Sequence, residues 1–170
     1  MEYFTKDLRV GPFHPTDAEA AALLLTDRIV GQTYMLPEYA SPQEALPLFQ
    51  RLLELSQTPG RYVAGIYLED RLIGLINETE VDGQRIELGY ALLPAYHNRG
   101  YATQALTGAI AYLFDQGFTQ VTAGAFEENV ASLRVMVKSG MTRMAYEDTV
   151  SYRGKEHRCI YYHAQKTSRE

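Results

Sequence analysis

Apolar and polar residues alternate with a period of two in three consecutive stretches of the chain, which cover residues 62–68, 72–79 and 85–93. This period is typical of β-strands that bury one face. The short polar segments Glu69–Asp70 and Asp82–Gly83 separate the stretches, and an Asp-Gly dipeptide favours the tight turn of a hairpin. The pattern therefore predicts a meander of three antiparallel strands.

A longer period, close to 3.6 residues, predicts four helices outside this meander. Capping boxes begin the first two, at Thr16 and Ser41, and Pro47 predicts an irregular first turn in the second. Gly117 and Gly140 end the last two. The predicted helices cover residues 16–30, 41–55, 100–116 and 129–139.

Four further strands are predicted over residues 8–13, 119–126, 144–152 and 156–163. The resulting order of strands and helices predicts an α/β fold, in which a mixed sheet carries helices on its faces and a βαβ unit lies near its centre. A chain of 170 residues has the length of one domain. We therefore expect a single domain over residues 1–170.

Composition and charge argue against several classes of function. The net charge of −5 disfavours non-specific nucleic-acid binding, and no apolar run reaches the ~20 residues of a membrane-spanning helix. The N-terminal residues lack the pattern of a secretory signal, so we expect a cytoplasmic protein. Cys159 is the only cysteine and the four histidines lack metal-ligand spacing, so we expect neither an internal disulfide nor a metal site.

The segment from Glu87 to Thr103 leads from a predicted strand, through a turn that contains Pro94, into a predicted helix at Gly100. Such a turn places free backbone amides and the positive end of a helix dipole at the carboxyl end of a central strand. A glycine and small residues let a pyrophosphate approach the backbone closely. The segment is a candidate anion-binding loop, and a purely structural strand-to-helix turn is the alternative.

The loop His97-Asn98-Arg99-Gly100-Tyr101-Ala102 resembles the acetyl-CoA-binding motif of the GNAT acetyltransferases, Gln/Arg-x-x-Gly-x-Gly/Ala. His97 departs from the generic first residue, and with the Gly-Tyr-Ala-Thr run it resembles the RimJ/RimL-like branch. Residues 8–17 and 129–141 are similar to two further motifs of that branch. The resemblance implies a mixed sheet of about seven strands with helices on both faces and a bulged, splayed central strand.

The resemblance also implies an acetyl-CoA-dependent N-acyltransferase and a set of residues that bind acetyl-CoA as co-substrate. The expected bulge falls at residues 91–93, whose backbone would pair with the pantetheine arm. Asn129 has the N-cap of its helix as a second role, and Lys138 is a further candidate to balance the charge of the co-substrate. The candidate acetyl-CoA contacts are Ala91, Leu92, Leu93, His97, Asn98, Arg99, Gly100, Tyr101, Ala102, Thr103, Asn129, Ser132 and Arg134.

Acetyl transfer to an amine requires a base, because an alkyl amine with a pKa near ~10 is protonated at pH 7. Glu87 is the candidate base, and a solvated carboxylate or an ion pair with Arg85 is its structural alternative. The Leu92 amide is the candidate oxyanion donor. Ser132 is the candidate partner of the departing thiolate, because Met136 occupies the position where the family resemblance implies a tyrosine. The rival bases are Glu78 and Glu80.

The sequence leaves the acceptor open between a protein N-terminus and a small-molecule amine. Residues that could line its site are Tyr34, Tyr39, Tyr90 and His157. The alternative function is a catalytically weak module that binds or senses acetyl-CoA, which the missing hydroxyl at Met136 favours. The strands of the C-terminal hairpin would allow a homodimer.

Overall fold

A computed structural model describes residues 1–167 and contains eight β-strands and five α-helices in that range. The strands are β1 (Tyr3–Phe4), β2 (Leu8–Gly11), β3 (Val63–Leu68), β4 (Arg71–Asp82), β5 (Arg85–Leu92), β6 (Gln120–Phe126), β7 (Thr142–Tyr152) and β8 (Lys155–Gln165). The helices are α1 (Ala18–Thr26), α2 (Val30–Thr33), α3 (Leu46–Gln57), α4 (Tyr101–Asp115) and α5 (Val130–Lys138).

The strands form one mixed sheet in the order β1-β2-β3-β4-β5-β6-β8-β7. β5 and β6 are parallel, with Arg85–Leu88 in register with Gln120–Ala123, whereas β2–β3, β6–β8 and β7–β8 pair antiparallel. The crossover from β5 to β6 contains α4, as a parallel pair requires. The α/β prediction is confirmed, and the two-residue β1 is a strand that the sequence pattern did not predict.

The helix predicted over residues 16–30 is two helices in the structure. α1 begins at Ala18 instead of Thr16, because residues 15–17 form a 3-10 turn. Asp27 ends α1 with an extended backbone, and its carboxylate accepts the amides of Ile29 and Val30, each at 2.9 Å. An aspartate that binds the amides of a following helix is a strong helix start, so α2 begins separately.

The chain divides into two compact units, residues 1–77 with 90–105 and residues 78–89 with 106 onwards. In the first unit, α1, α2, α3 and one face of β3 and β4 enclose an apolar core. Its aromatic centre is the edge-to-face pair of Phe13 and Phe49, whose ring centroids are 5.8 Å apart. The single domain over residues 1–170 stays a prediction.

The second unit has an apolar face and a polar face. On the apolar face Ile86, Leu88, Val121, Ala123 and Ile160 are buried, and α5 packs against β6. Burial of an aliphatic side chain of this size stabilises the fold by about 1.5–3 kcal/mol. Packing on the apolar face therefore stabilises the strands of this unit. The side chains of Glu87 and its neighbours on the same face lie on the other side of the sheet.

Residues 1–167 contain neither a membrane-spanning helix nor a cluster of metal-ligand side chains. No helix in this range has the length and hydropathy that a bilayer crossing requires. No group of three His, Cys, Asp or Glu side chains in the same range is arranged to hold a metal ion. Cys159 is a buried free thiol.

Candidate active site

The candidate site begins where β5 ends, next to an irregular stretch of β4. The register of β3 and β4 slips by one residue at Ile66 and Tyr67, which makes Ile73 the extra residue of a β-bulge in β4. The Ile73 carbonyl oxygen accepts the Leu93 amide at 2.8 Å. The central sheet is thus bulged in β4, and the bulge expected at residues 91–93 of β5 stays a prediction.

Gly74 allows the backbone of β5 to approach this bulge. A Cβ atom at Gly74 would lie 2.3 Å from the Ala91 carbonyl oxygen and 2.5 Å from Leu92 Cδ2. A backbone oxygen cannot rotate away as the end of a side chain can, so only glycine fits here. Gly74 therefore sets the position of Ala91 and Leu92 immediately before the candidate loop.

Two residues of the loop have a left-handed backbone, Asn98 with φ 59° and Gly100 with φ 79°. Helix α4 follows at once, and the Gln104 amide makes the first helical bond, to the Gly100 carbonyl oxygen at 3.0 Å. The amides of residues 101–103 consequently have no acceptor within the helix. Such amides, together with the helix dipole, form a concavity that suits an anion.

The loop is open to a ligand. Asn98, Arg99 and Gly100 are exposed, and a Cβ atom at Gly100 would meet no atom within 4 Å. His97 Nε2 lies 2.8 Å from the Leu92 carbonyl oxygen and joins the loop to the end of β5. Because its amide is bound to β4, Leu93 can offer a ligand only its carbonyl oxygen. The structure therefore brings residues 91–93 and 97–103 together in the first unit.

Glu87 lies on β5 in the second unit and is half-buried between the buried residues Ile86 and Leu88, as the alternation predicts. The Thr79 hydroxyl donates to the Glu87 carboxylate at 2.9 Å. Burial raises the pKa of Glu87, and the nearby Glu80 carboxylate raises it further, while the Thr79 hydrogen bond opposes them. A carboxylate with a raised pKa is a better proton acceptor near neutral pH.

The ion-pair alternative for Glu87 is not observed. Arg85 lies 3.5 Å from Glu80 and 3.6 Å from Asp82, so its guanidinium group serves those two exposed carboxylates. Glu78 and Glu80 lie on β4, and Glu80 is exposed.

Helix α5 carries the candidates Asn129, Ser132 and Arg134. The Asn129 side chain accepts the Ser132 amide at 3.3 Å, which confirms the N-cap role. Arg134 is exposed, whereas Met136 has no exposed surface. A side chain at position 136 therefore points into the core, and the cofactor contacts of Asn129, Ser132 and Arg134 stay predictions.

His157 is held by contacts with two neighbouring side chains, Glu128 and Phe126. Its Nδ1 contacts the Glu128 carboxylate, and its ring stacks on Phe126 with centroids 4.1 Å apart. The contact with His157 contributes to the lowered pKa of Glu128, after the hydrogen bond from the Glu128 backbone amide. Among the acceptor candidates, Tyr34 donates to Asn77 at 2.6 Å and Tyr39 packs against the core of the first unit.

A hydrogen-bonded cluster of tyrosine and aspartate side chains on β7 and β8 was not predicted from the sequence. The Tyr161 hydroxyl donates to Asp148 Oδ1 at 3.0 Å, and the Tyr146 hydroxyl donates to Asp148 Oδ2 at 3.2 Å. Burial and then the bond to Asp148 raise the pKa of Tyr161, so the hydroxyl stays protonated. No local motif marks these residues, and the signal that could have found them is Gly124, a glycine inside a predicted strand.

These features define an α/β protein with an exposed, glycine-containing loop at the start of a helix and a half-buried carboxylate on the strand before it. Residues 7–142 match the model of the acetyltransferase (GNAT) domain. The chain belongs to the GNAT acetyltransferases. The resemblance seen in the loop sequence is thereby confirmed.

One relative resembles the chain in sequence, and two solved structures resemble it in fold. The chain is 28% identical over 132 residues to the uncharacterized N-acetyltransferase YoaA of Bacillus subtilis. This alignment covers 75% of each protein. A GNAT-family acetyltransferase from Bacillus anthracis has the same fold, with a TM-score of 0.84, 24% identity and coverage of 97% and 98%. An acetyltransferase from Salmonella typhimurium that modifies the N-terminal serine of ribosomal protein L7/L12 superposes with a TM-score of 0.81, at 16% identity and coverage of 96% and 97%.

Proposed function

We propose that the chain is an N-acetyltransferase that moves an acetyl group from acetyl-CoA to a primary amine. The observation that supports this most directly is the backbone of the loop of residues 97–103. Asn98 and Gly100 have a left-handed backbone conformation, and they precede the first amides of α4, which have no acceptor within the helix. Such amides bind the oxygens of a pyrophosphate. The exposed Arg99 and Arg134 would add positive charge in a protein of net charge −5.

The remaining contacts are proposed along the same strand and on α5. Backbone groups of Ala91 and Leu92 and the Leu93 carbonyl oxygen would pair with the pantetheine amides. Asn129 would orient the start of α5 through its N-cap bond, with Ser132 in its first turn. When bound, acetyl-CoA supplies an acetyl thioester, which an amine can attack.

Glu87 is the proposed general base. It accepts a proton from the ammonium form of the acceptor, directly or through water, and so frees the lone pair of the nitrogen. The nitrogen forms a bond to the acetyl carbon and becomes positively charged, and the carbon–sulfur bond breaks. The proton that this nitrogen then loses is taken up by the CoA thiolate through solvent, with Ser132 as a hydrogen-bond donor to the sulfur. The Leu92 amide is the proposed donor to the oxygen that gains charge.

The acceptor is either a protein N-terminus or a small amine. The structural likeness to an enzyme that modifies a ribosomal protein makes a peptide N-terminus one candidate. The alternative function is a weakly catalytic acetyl-CoA-binding module. The fully buried Met136 favours that alternative, because it leaves no hydroxyl at the position of the expected acid.

Transfer of a labelled acetyl group tests the proposal. The protein would be incubated with isotopically labelled acetyl-CoA and a panel of peptides, diamines and amino acids, and products would be read by mass spectrometry. Glu87→Gln should lower the transfer rate by at least about tenfold with unchanged acetyl-CoA affinity, because a general base contributes that much or more. Glu156→Gln, an exposed carboxylate on β8, is the matched control. Hydrolysis of acetyl-CoA without any acetylated amine would support the binding module instead.

A further inference from the structure

The strand register of the second unit places a set of polar and aromatic side chains on one face of the sheet. Glu87 is in register with Thr122 of β6, and Gly124 of β6 is in register with Tyr161 of β8. Asp148 of β7 is in register with Cys159 of β8. Since alternate residues of a strand share a face, Glu87, Tyr161 and Asp148 all lie on one face, opposite the face of Ile86 and Ile160.

The Tyr161 ring is held on this face by contacts with Gly124 of β6 and with the Tyr146 ring of β7. A Cβ atom at Gly124 would lie 2.6 Å from the Tyr161 ring, so the ring occupies the space that a side chain would fill. The Tyr161 and Tyr146 rings are 5.3 Å apart at 46°, and both hydroxyls donate to the Asp148 carboxylate. Two tilted aromatic rings therefore frame one carboxylate.

Asp148 has no cationic partner among residues 1–167, although it is half-buried. The adjacent carboxylate of the same strand does have one. Glu147 accepts two bonds from the Arg158 guanidinium group, each at 2.6 Å. The two tyrosine hydroxyls satisfy hydrogen bonds of Asp148 but leave its negative charge uncompensated.

We propose that Asp148, framed by Tyr146 and Tyr161, determines acceptor specificity by binding a second positively charged group of the amine that is acetylated. This inference rests on the proposed function, because it assigns one end of the acceptor to Glu87 and the other to Asp148. The acceptor class is then a diamine, or a peptide whose N-terminus is close to a lysine side chain.

The chemistry of the cluster fits an ammonium group. A carboxylate supplies the opposite charge, and aromatic faces attract cations through their quadrupoles. Tyr161 donates its hydroxyl proton to Asp148, so the lone pairs of the Tyr161 oxygen stay available to accept an N–H from the ligand. Neither interaction requires the ligand to lose a proton, so the cluster binds the charged end of the acceptor.

The separation of the two carboxylates excludes a single amine that binds both. Glu87 is on β5 and Asp148 on β7, with β6 and β8 between them. Glu87 is level with His163 of β8 whereas Asp148 is level with Cys159, so the backbones are separated by three strand spacings, about 14 Å, and by a further offset of four residues along the strands. The Asp148 charge is one of the causes that raise the pKa of Glu87, after burial and the nearer Glu80 carboxylate. A ligand with two amines on a flexible chain spans such a gap, whereas a monoamine contacts one end only.

Steady-state kinetics with 1,6-diaminohexane and hexylamine test the proposal, because the two acceptors differ only in the second charge. Asp148→Asn should raise KM for the diamine about five- to tenfold, which lies between the effect of losing an exposed ion pair and that of losing a buried hydrogen bond to a charged group, as suits a half-buried carboxylate. The KM for hexylamine, kcat and the acetyl-CoA affinity should stay within about twofold. Tyr161→Phe should raise KM for the diamine in the same direction, and Glu156→Gln should leave it unchanged. Parallel changes for both acceptors would overturn the proposal.

Direct binding separates failure of this inference from failure of the proposed function. 1,6-Diaminohexane would be titrated into the protein without acetyl-CoA while the backbone amide resonances of Gly124, Tyr161 and Asp148 are followed by NMR. Shifts in the wild type that are lost in Asp148→Asn support the inference even if no acetyl transfer occurs. No shift at these residues overturns it, whether or not the protein acetylates other amines.

Discussion

Glu87 has an environment that costs stability and suits catalysis. Its carboxylate is half-buried, bound to the Thr79 hydroxyl and close to other acidic groups, while Arg85 is engaged by Glu80 and Asp82. An acidic group in such surroundings keeps its proton more readily in the folded chain than in the unfolded chain. The same residue that is the proposed base should therefore weaken the fold once it is ionised.

The pH dependence of stability tests this account of Glu87. A carboxylate with a raised folded pKa contributes stability that is fully present below its unfolded pKa, about 4.3, and lost as the pH rises through the folded pKa. Glu87→Gln should therefore have a higher Tm than the wild type at pH 7, and the difference should vanish below about pH 4. Calorimetric melts across this range measure it, with Glu156→Gln as control. A variant that is less stable than the wild type at pH 7 would contradict the assignment.

At the scale of elements, the junction of β4, β5 and α4 positions the loop. The bulge at Ile73 accepts the Leu93 amide, Gly74 makes room for the Ala91 carbonyl, and His97 returns to the Leu92 carbonyl. The first two contacts are between backbone groups, and the third joins the His97 side chain to the Leu92 backbone. The loop should therefore keep its conformation in the absence of ligand, which reduces the entropic cost of binding.

Gly74→Ala tests the role of this junction. The new Cβ would collide with the Ala91 carbonyl oxygen, so we expect a loss of about 1–3 kcal/mol in the free energy of unfolding and weaker acetyl-CoA binding. Gly11→Ala is the control, because its Cβ would meet only the ends of the Arg9 and Glu2 side chains at 3.0–3.2 Å. Denaturant unfolding and calorimetry measure the two effects. Equal stability of the two variants would show that β5 does not depend on this contact.

Most helices and strands could be predicted because their apolar residues recur with the period of the element. The features that were not predicted have local causes. The three largely apolar stretches over residues 62–93, separated by short polar turns, form β3, β4 and β5. The break at Asp27 was missed because the apolar pattern continues across it, and hydrogen bonds to a carboxylate leave no trace in that pattern. The bulge at Ile73 was missed because β4 is buried on both faces there, so no alternation shows the slip.

At the scale of the whole molecule, the loop motif could be predicted, whereas the polar face of the second unit could not. The loop is one continuous segment, so its chemistry is visible in consecutive residues. Asp148 and Tyr161 lie about sixty and seventy residues beyond Glu87 in the chain and share its face only through the strand order. Pairing between distant strands is set by tertiary packing, which a single sequence does not display.

The proposed function depends on the binding of acetyl-CoA to the loop of residues 97–103. Calorimetric titration with acetyl-CoA measures this binding in the wild type and in the double variant Arg99→Glu, Gly100→Trp, which brings negative charge and bulk into the loop. We expect saturable binding by the wild type and its loss in a double variant that still folds. Absence of binding by the wild type, or equal binding by the folded double variant, would contradict it.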